Sequence, residues 1–178
     1  MADHETKPVP ARAAVERAGE QIAAWNPHVN AMMTVDLDGA RKTAEDIDQR
    51  TAKGEWPGLL AGMTLAIKDN IDTAGLETTS GSNFFKGRVP NRDAPVVSRL
   101  KQAGGVIVGK ATLHEVGFGV RSLNALIGQC RIPYDTSLIP GGSRGGSAGA
   151  GATGMADGAL GSVTGGSVRI PASICGVT

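Results

Sequence analysis

The stretch GMTLAIKDNIDTAGLETTSGSNFFKGRVPNRDAPVVSRLKQAGGVIVG (residues 62–109) decides the fold. Met63, Leu65 and Ile67 alternate with Thr64, Ala66 and Lys68, the period of two that marks a strand, and Lys68 stands at its end. After a turn-rich segment, Asp93-Ala94-Pro95 predicts a helix with an acidic N-cap and a first-turn proline, closed by Gly104-Gly105. Val106, Ile107 and Val108 then predict a short buried strand. The order strand, helix, strand points to an α/β fold of βαβ type.

Upstream, Val15, Ala18, Ile22 and Trp25 fall at helical spacing and predict a surface helix that ends before Asn26-Pro27. A second helix is expected over residues 37–53, where Leu37, Ala40, Ala44 and Ile47 share a face and Arg41/Glu45 and Lys42/Asp46 are spaced to pair. Both read as packing elements. Residues 1–61 are therefore expected to form an N-terminal helical segment of the same domain as residues 62–178.

Downstream, 12 of the chain's 26 glycines lie between Gly141 and Gly176, while aromatic residues are only 3% of the 178 residues. Such a region packs backbone closely instead of stacking rings. Ser147, Ala148, Ala150, Ala152, Met155 and Ala156 predict a thin helix there, one that depends on burial because each interior glycine costs about 1 kcal/mol relative to alanine.

The formal charge of +1 leaves no broad electrostatic footprint for nucleic acid or an anionic membrane. Cys130 and Cys175 stand far apart with no ligand spacing, so neither a disulfide framework nor a zinc site is indicated, and a reducing cytoplasm fits best. The opening MADHETKPVP has no secretory pattern, and no run approaches 18 apolar residues. Gly104–Ala111 nearly spells a phosphate-binding loop, but Ala111 lacks the hydroxyl needed for a metal ion and the β-branched interior suits a strand.

Three residues carry chemistry: Lys68 at a strand end, Ser143 in GGSRGGS and Ser167 in TGGS. A serine nucleophile needs a base. His4 and His28 are poorly placed for that work, whereas His114 stays open as an alternative. A lysine serves if burial or neighbouring cations lower its pKa by about three units, at a cost on the order of 4 kcal/mol. Gly165 and Gly166 leave room for backbone N–H groups to converge beside Ser167 as an oxyanion hole, or they form a tight turn before the next helix.

GMTLAIKDNIDTAG (62–75), TTSGS (78–82), DAPVVSRLKQAGGVIVGKATLHEVGFG (93–119), PGGSRGGSAGAGATGMADGALG (140–161) and TGGSVRIPASICGV (164–177) resemble, in order, the blocks of the amidase signature family. The resemblance implies an α/β fold with a mixed sheet flanked by helices and a Ser–cis-Ser–Lys triad. In it Ser167 is the nucleophile, Ser143 the bridging serine and Lys68 the base. It implies an oxyanion hole from the backbone of Thr164, Gly165, Gly166 and Ser167, with no cofactor and no metal. Family members are well over twice as long, so residues 62–178 are expected to be the front of a catalytic core whose C-terminal remainder is absent, poorly soluble and weakly active alone.

Departures cluster near the triad. The usual GGSSGGSAAA reads GGSRGGSAGA here, Ser162 and Val163 open a stretch that usually reads TDTGGS, and Ile132 stands where Asn is usual before Pro133. Arg144 either depresses the Lys68 pKa by like-charge repulsion or blocks the cleft. The first function implied is an amidase that hydrolyses a small carboxamide through an acyl-enzyme. The alternatives are the A subunit of a glutamyl/aspartyl-tRNA amidotransferase, releasing ammonia from glutamine beside partner subunits, and a non-catalytic fragment. A homodimer is left open.

Overall fold

The computed structural model describes residues 9–178, so His4 lies outside the described residues. Helices α1 (Ala11–Val29) and α2 (Leu37–Ala52) flank strand β1 (Met32–Val35) and precede β2 (Thr64–Lys68). Then come α3 (Pro95–Gln102), β3 (Val106–Ala111), a hairpin of β4 (Leu123–Asn124) and β5 (Gly128–Gln129), α4 (Gly145–Ala152), β6 (Gly158–Leu160) and α5 (Arg169–Cys175). The main sheet has the order β1-β3-β2-β6, with β1 antiparallel to β3 and the remaining pairs parallel. It is the mixed sheet flanked by helices that the resemblance implied.

Alternation along β2 sorts its side chains between two covered faces. Ala66 joins a core built from Val15, Ala18 and Ile22 of α1, Ala40, Ala44 and Ile47 of α2, Val106 and Val108 of β3, and Ala150 near the end of α4. Leu65 and Ile67 join Ile107 and the α3 residue Val97 on the other face. Because both faces are covered, all five β2 residues are buried, polar ones included. Lys68 shares the parity of Ala66 and is sent towards the start of α4.

A bulge changes that parity in the neighbouring strand. Leu65 pairs with Ile107 but Ala66 pairs with Gly109, so Lys110 is turned to the same side as Ile67. Gly109, at φ 155°, sits where a Cβ would overlap the Thr34 carbonyl of β1, so only glycine fits the bulge.

The glycine-rich helix is α4, and burial supplies what its propensity lacks. Gly145 to Ala150 are all buried, and a Cβ on Gly146 would overlap the backbone of Ala31 and Thr112. Gly146 N–H instead donates to the Thr112 carbonyl at 3.1 Å, so helix and strand backbones touch directly.

Local details differ from expectation in several places, the first being that α4 ends at Ala152 and leaves Met155 and Ala156 beyond it. α1 runs through Pro27 to Val29, because Asn26 holds the last turn through paired bonds with the Met32 backbone at 2.7 and 3.1 Å. Asp93 does not cap α3; it accepts from Ala74 N–H at 2.7 Å and pairs with Lys101 at 2.9 Å. Arg41 reaches Glu16 of α1 at 2.9 Å and Asp38 at 3.2 Å instead of Glu45, tying the two helices together. β1 and β6 are short strands without an alternating pattern of their own, which only the pairing with β3 and β2 brings out.

Candidate active site

Lys68 is 1% exposed. Its Nζ donates to Ser143 Oγ at 2.9 Å and to Ser162 Oγ at 3.0 Å, and Ser162 Oγ also accepts from Asn70 Nδ2 at 3.2 Å. Burial first, and the like charge of the Arg144 guanidinium second, together lower the lysine pKa from 10.5 to about 8. An ammonium held this way is close to release at neutral pH.

Ser143 precedes α4 and is fully buried. The Gly142–Ser143 peptide bond is cis, and the Ser143 carbonyl accepts from His114 N–H at 2.9 Å. Gly142 also lines an open cavity of roughly 350 Å³ shared with Gly117, Thr164, Gly165, Ser167 and Ile170. A Cβ on Gly117 would stand 3.9 Å from Lys68 Nζ and 4.0 Å from Ser143 Oγ. The nearest atom to that Cβ would be Asn70 Nδ2 at 3.3 Å, so Gly117 is the thin part of the cavity wall beside the buried Lys68–Ser143 pair.

Ser167 is half-buried on the cavity wall, two residues before α5. Gly166 lies buried behind it, and its carbonyl accepts from Ile170 N–H at 2.9 Å, which turns the chain into the helix. Of the sequence-predicted residues, then, Lys68 and Ser143 are in direct contact, while Thr164, Gly165 and Ser167 share a cavity with the peptide that carries Ser143. No hydrogen bond joins Ser167 Oγ to Ser143 among the described residues.

Arg144 points away from this cavity. Its guanidinium donates through Nη2 to the Ala159 carbonyl, and it lines a separate cavity of about 360 Å³ with Ser147, Asp157 and Val168. Of the two effects left open for Arg144, the structure shows the electrostatic one.

Neither described histidine forms a hydrogen bond with Lys68. His28 is exposed on α1, and His114 Nδ1 accepts from Arg121 N–H at 3.4 Å, its pKa lowered by burial. The resemblance to a phosphate-binding loop ends in strand β3, where Lys110 is fully buried. Its Nζ donates to Thr78 Oγ1 at 2.6 Å and the Ile71 carbonyl at 2.8 Å and lies 3.7 Å from Asp69 Oδ1. Asp69 Oδ2 accepts from Thr79 N–H and Oγ1 at 2.9 and 2.6 Å, so the pair pins the loop after β2.

Comparison with known proteins decides the family. A family model described as Amidase matches residues 13–178. The chain belongs to the amidase signature family. Among the curated relatives of this amidase-signature chain are glutamyl-tRNA(Gln) amidotransferase A subunits. The one from Carboxydothermus hydrogenoformans is 45% identical over 158 residues, covering 89% of this chain and 33% of the relative. The one from Synechococcus sp. is 46% identical over 162 residues, covering 91% and 33%.

Among solved structures, the native peptide amidase from Stenotrophomonas maltophilia superposes with a TM-score of 0.87 at 35% identity, covering 92% of this chain and 35% of that one. An inhibitor-bound structure described as a vestigial protein complex revealing the origins of an s-triazine catabolic enzyme superposes with a TM-score of 0.91 at 39% identity, covering 94% and 37%. The amidase-signature chain spans about one third of the length of the relatives it matches.

One partner of Lys68, Ser162, and the residue that holds it, Asn70, escaped the sequence reading. Asn70 lies two residues beyond Lys68, and Ser162 was noted only as a departure from the family pattern. The Lys110–Asp69 pair had one signal, a lysine inside the apolar run VIVGKA, which the decoy motif explained away. Among the described residues no helix is long and apolar enough to cross a membrane, and no cluster of three or more His, Cys, Asp or Glu gathers to hold a metal.

Proposed function

We propose that this chain carries the acyl-transfer centre of an amidotransferase A subunit, with Ser167 as nucleophile, Ser143 as proton bridge and Lys68 as base. The 2.9 Å contact between Lys68 Nζ and Ser143 Oγ, beside a cavity that Ser167 lines, carries the reading. With a pKa of about 8, about one tenth of Lys68 is neutral at pH 7, against about one part in three thousand for an ordinary lysine.

Ser167 Oγ attacks the carboxamide carbon of glutamine while its proton passes to Ser143 Oγ and the Ser143 proton to Lys68 Nζ. Backbone N–H groups of residues 164–167 stabilise the oxyanion. Collapse breaks the C–N bond, the proton held by Lys68 returns through Ser143 to the leaving nitrogen, and ammonia departs. Water then attacks the acyl-enzyme by the same relay and releases glutamate.

Glutamine is favoured as substrate by the relatives, which are amidotransferase A subunits at 45–46% identity. Hydrolysis of a simple carboxamide is the second reading, supported by the likeness to peptide amidase. Ammonia release from glutamine and from a simple carboxamide, measured with and without the partner subunits of a tRNA-dependent amidotransferase, separates the two. Release from glutamine that rises with the partners and vanishes in Ser167→Ala is expected. Release that survives Ser167→Ala, or that favours the simple amide with no response to partners, overturns the amidotransferase reading.

A further inference from the structure

Residues 143 and 144 divide their work between two strands. Ser143 Oγ meets Lys68 of β2, whereas Arg144 reaches the outer strand β6, where its Nη2 donates to the Ala159 carbonyl. The stem of Arg144 lies so close over the residue after β6 that a Cβ on Gly161 would overlap its Cδ and Nε. Ser162 comes next, and its hydroxyl is held by Lys68 Nζ and Asn70 Nδ2.

We propose that Arg144 is a positioning residue, a clamp on Ala159–Gly161 that seats Ser162 against Lys68. The serine usual at position 144 in this family is too short to span from α4 to β6, so here the contact belongs to arginine. The arrangement has a cost that a merely solvated arginine would avoid. Arg144 Nε is buried with no hydrogen-bond partner, and burial lowers the guanidinium pKa. Gly161 is the complementary half of the clamp: its missing side chain is the space the arginine stem occupies.

The role of Ser162 is to accept from the Lys68 ammonium, which places the clamp in the proton relay only if Lys68 is the base, so that step rests on the function proposed above. Other charges near Lys68 are accounted for. Asp69, its chain neighbour, turns to Thr79 and Lys110, and Lys110 lies on the opposite face of the sheet with Ile71 and Thr78. Arg144, from the start of α4, is the charge whose field reaches Lys68.

The test is a double-mutant cycle read at Lys68 itself. The Lys68 signal of the intact chain, carrying isotope-labelled lysine and assigned with Lys68→Met, is followed by NMR across a pH titration. The variants are Ser162→Ala, Arg144→Gln and the double substitution. Ser162→Ala should lower the Lys68 midpoint by about one pH unit in the parent, because it removes an acceptor of the charged form. In the Arg144→Gln background, where Ser162 is no longer seated, the same substitution should shift the midpoint by less than about a third of that.

The charge lost with Arg144 cancels within the cycle. An equal shift in both backgrounds overturns the clamp. Gly161→Ala, which keeps the arginine but displaces its stem, should weaken the coupling in the same way and replaces Arg144→Gln if that variant does not fold. The titration requires no turnover, so a chain that releases no ammonia leaves the clamp testable, and an active chain without coupling refutes the clamp while the function stands.

Discussion

Replacing Lys68 with methionine should stabilise the protein at neutral pH and destabilise it in base. Lys68 is 1% exposed and its pKa falls from 10.5 to about 8, so holding the ammonium in the folded state costs about 3 kcal/mol below pH 8. The sign follows from proton binding: between about pH 8 and 10.5 the unfolded chain binds more protons than the folded one, so stability rises with pH through that window and the penalty is relieved. Lys68→Met removes the penalty but strands the buried Ser143 Oγ and takes one of two donors from Ser162 Oγ, a loss of about 1–2 kcal/mol at any pH. At pH 7 the variant should therefore be more stable than the parent by about 1–2 kcal/mol, and at pH 10 less stable by about 1 kcal/mol. Urea unfolding followed by circular dichroism at the two pH values measures the difference. A difference between variant and parent that is the same at pH 7 and pH 10 would refute the reasoning, because it would mean that Lys68 keeps an ordinary pKa in the folded chain.

Ser143→Ala should slow fluorophosphonate labelling of Ser167 by at least about a hundredfold while circular dichroism stays unchanged, since one hydroxyl is lost from a relay and no packing is disturbed; unchanged labelling would remove Ser143 from the relay. Gly117→Val should cut the labelling rate as well, because valine is strained at φ 74° and its Cβ would press on Asn70 Nδ2 at 3.3 Å beside the Lys68–Ser143 pair, and an undiminished rate would show that this wall does not shape the site. Asp69→Asn should destabilise the protein by roughly 3–5 kcal/mol by leaving Lys110 buried without its counter-charge. The double variant Asp69→Asn/Lys110→Met should recover a measurable part of that in thermal unfolding, and a simple sum of the two single effects would contradict the pairing.

The strand that ends in Lys68 was legible because alternation is a local property, and both covered faces leave it intact. The thin helix after Ser143 was legible for a different reason: small residues at helical spacing next to hydrophobic ones need a close neighbour, and α4 found one in the Ala31 and Thr112 backbone. Asp93 misled because an acid before Ala-Pro is a good local cap, yet a lysine two turns into the helix and the Ala74 N–H offered it stronger partners. β1 and β6 escaped because strands of four and three residues carry too few side chains to show a period. Lys110 escaped because its direction depends on a bulge, and a bulge is visible only in the pairing of two strands.

The chain's own order of residues thus determined the class of the fold, the family and the three residues proposed for catalysis, all of which rest on local pattern and on motif. Only the tertiary structure decided which of those residues meet. It put Lys68 against Ser143 at a separation of 75 positions, brought Ser162 to the same ammonium and Asn70 to Ser162, and aimed Arg144 at β6 and away from the cavity. The physical reason is that desolvation, like-charge repulsion and steric clamping act through space. A lysine's charge state near neutral pH is set by what surrounds its nitrogen, and no neighbour in sequence supplies those surroundings.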